Sequence, residues 1–288
     1  VRDHRRAIEM VIDVLLDAQR GVLRRKEEIA GVGHRVVHGG EAFADASKVD
    51  EKVIAAIEEQ AALAPLHNPP NLLGIKAARQ VFPGVPQVAV FDTAFHQSMP
   101  PHAFIYALPY SFYALHHVRR YGFHGTSHLW VAKEAAAHLG KPLTSINLIT
   151  LHLGNGASVA AIRQGLSVDT SMGMTPLEGL VMGTRCGDLD PAIPFYLRRA
   201  TQMPEGDLEA ILNKASGLKG ICGANDMREI LQMADRGEPL AQLALEIYCY
   251  RIKKYIGAYF AVLGRVDVVI FTGGIGENAA PIRKQCCQ

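Results

Sequence analysis

Two glycine turns, each fed by an apolar run, are the segments of this 288-residue sequence best suited to hold a charged ligand. Leu148 to Ser158 reads L-I-T-L-H-L-G-N-G-A-S, and Val266 to Asn278 reads V-D-V-V-I-F-T-G-G-I-G-E-N. Glycine lets the backbone come close to a ligand and leaves N–H groups free to face an anion, so the pair suggests a bound nucleotide. Charged and imidazole groups gather in other glycine- or proline-rich segments. Arg35 lies in G-H-R-V-V-H-G-G-E, Asp92 in F-D-T-A-F-H, His124 in R-R-Y-G-F-H-G-T-S-H, and Arg185 in M-G-T-R-C-G-D-L-D. A lone arginine is more often half of a surface ion pair, and a lone histidine more often a satisfied structural group. Four such segments beside two glycine turns shift the reading toward a site.

These groups need elements to position them. Helical periodicity covers Ala7 to Leu16, Lys48 to Leu63, Leu72 to Val81, Thr126 to Leu139 and, within a helical stretch from Pro191, Leu240 to Leu263. Strands are expected at Pro86 to Phe91, Ile146 to Leu153, Ala157 to Ile162 and Leu166 to Thr170, the last entered through a Gln164-Gly165 hairpin turn. Thr126 or Ser127 is the expected N-cap of its helix. Between helices, A-P-L-H-N-P-P-N (Ala64 to Asn71) carries prolines that forbid regular structure and predict a rigid loop. The pattern is α/β. The domain boundary is expected at the strand exit near Asp92 to Phe95, giving domains 1–93 and 94–288.

Composition narrows the partners. With 49% hydrophobic residues the chain can bury a large core, and a formal charge of +2 from 30 basic and 28 acidic residues makes no broad basic field for nucleic acid or an anionic membrane. No apolar run reaches membrane-spanning length and the first residues lack a signal-peptide layout, so a cytoplasmic location is expected. The five cysteines show no zinc spacing, in keeping with reduced thiols, and no chemistry is assigned to them.

Together the segments H-R-V-V-H-G-G-E, A-P-L-H-N-P-P-N, F-D-T-A-F-H, R-Y-G-F-H-G-T-S-H, H-L-G-N-G-A-S, D-T-S-M-G-M-T-P-L-E-G, G-T-R-C-G-D-L-D and F-T-G-G-I-G-E-N resemble the acetokinase family, within the superfamily of acetate and sugar kinases, heat-shock proteins and actin. The resemblance covers essentially the whole chain, in the family's order. It implies two ribonuclease-H-like (actin-like ATPase) domains with an active-site cleft between them, a homodimer, and reversible magnesium-dependent phosphoryl transfer between ATP and acetate. A propionate or other short-chain acyl kinase is the nearest alternative. An inactive nucleotide-binding protein of the superfamily would keep both glycine turns but has no need for Arg35, Asp92, His124 and Arg185 together.

Carried over position by position, the resemblance makes Asp92 the active-site carboxylate, places His124 and Arg185 on the transferring phosphoryl group, and gives Arg35 the substrate carboxylate. Phosphoryl transfer rests on positioning and positive charge more than on covalent help, which two arginines and a histidine can supply. A carboxylic acid substrate is already ionised near neutral pH, so Asp92 is expected to orient an arginine or the metal's water shell rather than abstract a proton. The resemblance lines the acyl pocket with Val37, Leu66, Phe123 and Pro176. Propionate-preferring relatives typically carry alanine at the position of Val37, so valine favours acetate. His67 either supports the transition state or pins its loop.

For the nucleotide, the resemblance places His152, Leu153, Gly154, Asn155 and Gly156 at the phosphates. Asp226, Met227 and Arg228, with Gly274, Ile275, Gly276, Glu277 and Asn278, would enclose the adenosine. His152 could equally pack its ring beside the sheet, and Asp226 could be only a helix N-cap. The family also begins with a strand and an N-A-G-S-S-S-like turn that supplies a phosphate contact and a magnesium-ligating asparagine. Neither that segment nor the family's later metal-site glutamate is matched between Val1 and Gln288, so no residue here is assigned to magnesium, Glu277 included. The reading is therefore of a chain cut at both ends, its first domain incomplete, with exposed sheet edges that would make it unstable or aggregation-prone.

Overall fold

The computed structural model describes residues 4–62 and 68–288, with side chains from 6–61 and 68–288. The chain divides into two compact units, Val1–Gln97 and Ser98–Gln288.

In the first unit, β1 (Val32–Val36) and β3 (Gln87–Phe91) run parallel, with the short β2 (Ser47–Lys48) antiparallel on the other side of β3. Helices α1 (His4–Leu15), α2 (Glu51–Glu59) and α3 (Asn68–Val81) complete it. Val36, Ala89 and Phe91 from the sheet join Val53, Ile54 and Ile57 of α2 and Leu72 and Ile75 of α3 in one core. A second cluster sets Ile12 of α1 against Ala78 and Val81 of α3.

Two boundaries differ from the sequence reading. Lys48 belongs to β2, and α2 starts after Asp50, whose side chain accepts from the Val53 N–H at 2.9 Å. The proline-rich segment is also not all loop, because Asn68, Pro69, Pro70 and Asn71 form the first turn of α3. The first N–H groups of a helix have no intrahelical partner, so prolines there forfeit nothing. Ala64 to His67, including Leu66, lie outside the described residues.

The second unit carries α4 (Pro101–Phe104), α5 (Tyr110–His116) and α6 (Gly125–His138) before the strands β4 (Asn147–Leu153), β5 (Ala157–Arg163) and β6 (Leu166–Thr170). Helices α7 (Ala192–Thr201), α8 (Glu205–Lys214), α9 (Gly217–Cys222), α10 (Met227–Asp235) and α11 (Pro239–Leu263) follow. The described chain closes with β7 (Val268–Thr272), α12 (Gly273–Asn278) and α13 (Ala280–Cys287). Strand order is β6-β5-β4-β7, antiparallel except for the parallel β4–β7 pair. The β5–β6 turn has positive φ at both Gln164 (53°) and Gly165 (88°), which matches the right-handed twist of a two-residue hairpin.

Consecutive residues Leu148 to Leu151 of β4 are all fully buried, as expected of a strand covered on both faces. Both α6 and α11 pack on this sheet. No described helix is long and apolar enough to cross a membrane.

Candidate active site

Parallel pairing in the first unit brings two charged groups together. Arg35 lies opposite Val90 in the β1–β3 register, and the chain leaves β3 with the Asp92 N–H donating to Val36 O at 2.9 Å. Arg35 Nε then donates to Asp92 Oδ1 and Oδ2 at 2.9 and 3.2 Å, and Nη2 to Oδ2. Asp92 is buried, whereas the Arg35 side chain is 66% exposed. The bond to Asp92 raises the Arg35 pKa, so the cation is held in charge as well as in place. Asp92 thus holds an arginine, as its chemistry suggested. Arg35 Nη1 has no partner among the described residues and remains open to an anion.

The loop after β1 is clamped by side chains from the motifs that follow. Val37 N–H donates to Asn71 Oδ1 at 3.1 Å, and Gly39 N–H to Thr93 Oγ1 at 3.2 Å. The fully buried Asn68 accepts from His38 N–H and donates to His38 O and Ile57 O. Residues 68 and 71 at the first turn of α3 therefore fix the backbone beside Val37, which is buried.

In the second unit, His124 caps α6 in a left-handed conformation (φ 58°, ψ 22°), correcting the expectation of Thr126 or Ser127. Such a backbone is uncommon outside glycine and tends to occur where a side chain must be aimed. Its ring stacks on His152, with centroids 4.2 Å apart, and its Nδ1 lies 2.9 Å from Ser158 Oγ. His152 in turn lies 2.8 Å from Ser127 Oγ through Nδ1. Its ring is thereby packed beside the sheet, with Nε2 nearest the glycine turn: a methyl placed on Gly154 would lie 3.9 Å from it.

The turn Gly154-Asn155-Gly156 joins β4 to β5 and comes up against Arg185. A methyl group on Gly156 would sit 3.4 Å from Arg185 Nη1 and 3.6 Å from His124 Cε1 and Nε2. One point above a bare backbone is thus reached by a guanidinium and by the outer edge of an imidazole. Arg185 donates to Pro176 O at 3.2 Å and approaches Met182 Sδ, but has no carboxylate partner among the described residues. Burial lowers its pKa, as expected for a cation set in a pocket without its own counter-charge. Phe123, next to His124, is buried, and Pro176 is partly buried.

The turn also walls a cavity of about 650 Å³, bounded by Gly154 and Asn155 on one side, Asn225 to Arg228 and Leu231 on another, and Gly274, Ile275, Asn278 and Ala279 on a third. Its size suits a nucleotide, and its wall alternates apolar faces with amides. Asn225 Nδ2 donates to Asn155 Oδ1 at 3.1 Å, and Asn155 Oδ1 presses so close to Gly183 that a methyl there would come within 2.0 Å of it. Asp226 caps α10 through the Arg228 N–H at 2.9 Å and also holds the Arg228 guanidinium. Chiefly through that second bond its pKa falls to about 2.

Several expected nucleotide residues stand off this wall. Leu153 is fully buried in β4, Gly276 is buried, and Glu277 accepts from Thr272 Oγ1 at 3.3 Å. Conversely, sequence reasoning passed over Asn225, Leu231, Ala279 and Ser158. Asn225 could have been found from its place just before the helix-capping Asp226. No three His, Cys, Asp or Glu side chains among the described residues are grouped to hold a metal ion.

Comparison with known proteins adds four relationships. The model of the acetokinase family matches residues 1–288. An acetate kinase of Syntrophobacter fumaroxidans is 65% identical over 257 residues, covering 89% of this chain and 62% of that protein. The crystal structure of Porphyromonas gingivalis acetate kinase superposes with a TM-score of 0.95 at 49% identity, over 99% of this chain and 72% of the other. A propionate kinase from Francisella tularensis superposes with a TM-score of 0.93 at 47% identity, over 98% and 72%. The chain therefore spans roughly two thirds of the length of these proteins.

Proposed function

The chain belongs to the acetokinase family, and we propose that it carries the reaction of an acetate kinase: reversible, direct in-line transfer of the ATP γ-phosphoryl group to acetate, giving ADP and acetyl phosphate. The observation that carries this reading is the point over Gly156 that Arg185 Nη1 and the His124 edge both reach, in the same turn whose Gly154 and Asn155 wall the 650 Å³ cavity. A phosphoryl group in flight spreads negative charge over its equatorial oxygens, and preorganised donors aimed at that charge are the largest available source of rate.

In this reading the cavity takes ATP. Met227, Leu231 and Ile275 offer apolar surface to the base, while Asn155, locked by Asn225, borders the phosphates. His124 and Arg185 contact the transferring group. Arg35, oriented by Asp92, receives the acetate carboxylate through a forked pair of N–H donors that lysine could not reproduce. Val37, buried in the first unit, limits the acyl side. No general base is required, because the nucleophile is already a carboxylate.

Magnesium would neutralise phosphate charge in such a reaction. The described residues build no cage for it, and the ion commonly keeps several waters and binds mainly through substrate phosphates. The same reading carries a cytoplasmic homodimer.

A second reading, a propionate kinase, is favoured by the close superposition on the Francisella protein. Against it stands Val37. One methylene of pocket space is worth about 1–3 kcal/mol, so the preference would be graded.

The test is acyl phosphate formation, trapped as the hydroxamate, with ATP, magnesium and acetate or propionate, beside Arg185→Ala. Acetate-favouring activity that Arg185→Ala abolishes is the expected result. Undiminished activity in Arg185→Ala would overturn the assignment, whereas no hydroxamate from a chain that binds ATP would mean that residues 1–288 are by themselves catalytically incomplete.

A further inference from the structure

Behind His124 lies a chain of side chains that the transfer reaction does not itself require. His128 of α6 is fully buried, with Nδ1 2.7 Å from Thr150 Oγ1 and Nε2 2.8 Å from Ser158 Oγ. The same Ser158 oxygen is 2.9 Å from His124 Nδ1. Thr150 and Ser158 are also fully buried and belong to the adjacent strands β4 and β5. Four groups from one helix and two strands thus form an unbroken line ending at the imidazole edge beside Gly156.

The direction of the protons along this line follows from counting donors. The Thr150 hydroxyl has no hydrogen-bond partner among the described residues other than His128 Nδ1. A buried hydroxyl proton left without an acceptor loses its hydration with nothing in return, so Thr150 donates to Nδ1. His128, neutral, then carries its proton on Nε2 and donates it to Ser158. Ser158, having accepted there, has one proton left and one neighbour to receive it, His124 Nδ1. His124 is thereby left with its own proton on Nε2, the atom 3.6 Å from a methyl placed on Gly156.

We propose that Thr150, His128 and Ser158 are positioning residues: a one-way hydrogen-bond relay that fixes His124 in the Nε2–H tautomer, so that it presents a donor to the transferring phosphoryl group. This deepens the kinase reading and rests on it for the identity of the acceptor, but the tautomer itself is a property of the unliganded chain. The stacked His152 ring holds the plane of His124. What remains to be chosen is which nitrogen bears the proton, and the relay makes that choice from a threonine three groups away.

The experiment is ¹⁵N NMR of histidine-labelled protein at neutral pH without ligands, with the His124 resonances assigned by their loss in His124→Gln. The expected spectrum shows His124 as the neutral Nε2–H form. Thr150→Val, nearly isosteric but unable to donate, should mix the two tautomers. The same variant should lower kcat about 5- to 20-fold at unchanged KM for ATP and acetate, and Thr150→Ser should restore both readouts. A wild-type His124 that is Nδ1-protonated or cationic, or a Thr150→Val spectrum identical to wild type, would overturn the relay. The wild-type spectrum decides direction alone, so a poorly folded variant leaves the proposal decided. If the spectrum is as expected while Arg185→Ala leaves acyl phosphate formation undiminished, the kinase reading fails and the relay stands.

Discussion

Arg35 and Asp92, 57 positions apart in the chain, meet as a forked ion pair because β1 and β3 run parallel and in register to the same end of their sheet. Ligand sites of open α/β sheets lie at the carboxyl ends of strands, where side chains from neighbouring strands converge. Asp92→Asn keeps the shape and removes the charge. With charge-assisted bonds worth about 1.5–3 kcal/mol, kcat/KM for acetate should fall about 10- to 150-fold. Because Arg35 is mostly exposed, thermal stability should change little. Steady-state kinetics and a melting curve together check this; unfolding with unchanged kinetics in the surviving fraction would make Asp92 a structural residue only.

Gly156→Ala places a methyl at the point that Arg185 and His124 share. At 3.4 and 3.6 Å the methyl itself fits, so the fold should survive, but it occupies the space that the proposed reaction assigns to a phosphoryl oxygen. We expect kcat to drop about 100-fold or more, the scale of losing one preorganised donor, with little change in melting temperature. Wild-type turnover in this variant would move the transfer site elsewhere.

Val37→Ala should enlarge the acyl pocket without moving the loop, since it is the Val37 backbone N–H that Asn71 holds. The ratio of propionate to acetate kcat/KM should rise about 5- to 150-fold, corresponding to about 1–3 kcal/mol. An unchanged ratio would remove Val37 from the pocket wall.

Asp226, lowered to about 2 chiefly by Arg228, gives a pH prediction. A depressed folded-state pKa means that its stabilisation of α10 is fully present above the ordinary carboxylate range, near 3.9, and is lost as pH falls through about 2. The carboxyl ¹³C resonance should titrate with that midpoint. In Arg228→Ala it should move up toward the ordinary value, while the remaining bond to the residue 228 N–H keeps the cap. A wild-type midpoint near 4 would show that the pair does not form in solution.

Much of this protein was legible from local pattern alone. Apolar runs ending in glycine marked β4 and β7, Gln164-Gly165 marked the hairpin, and the burial of Leu148 to Leu151 in β4 was written in its composition, because these features depend on neighbours in sequence. The start of α3 was misread because a proline's effect depends on whether it falls in a first turn or an interior one. Asn68 and Asn71 were seen only as parts of a loop, although they clamp Val37 and His38 from thirty or more positions away.

The sequence by itself determined the family, the longer helices, the strands of the second unit and the types of group available for phosphoryl transfer, but it passed over β1, the strand that carries Arg35. Only the tertiary structure decided that Asp92 is committed to Arg35, that Arg185 lacks a counter-charge among the described residues, and that Thr150, His128 and Ser158 stand in line behind His124. The physical reason is that hydrogen bonds and desolvation act over a few ångströms between residues that the chain separates by tens of positions. Residue type and spacing limit which such pairs can form, and the packing of strands and helices selects the ones that do.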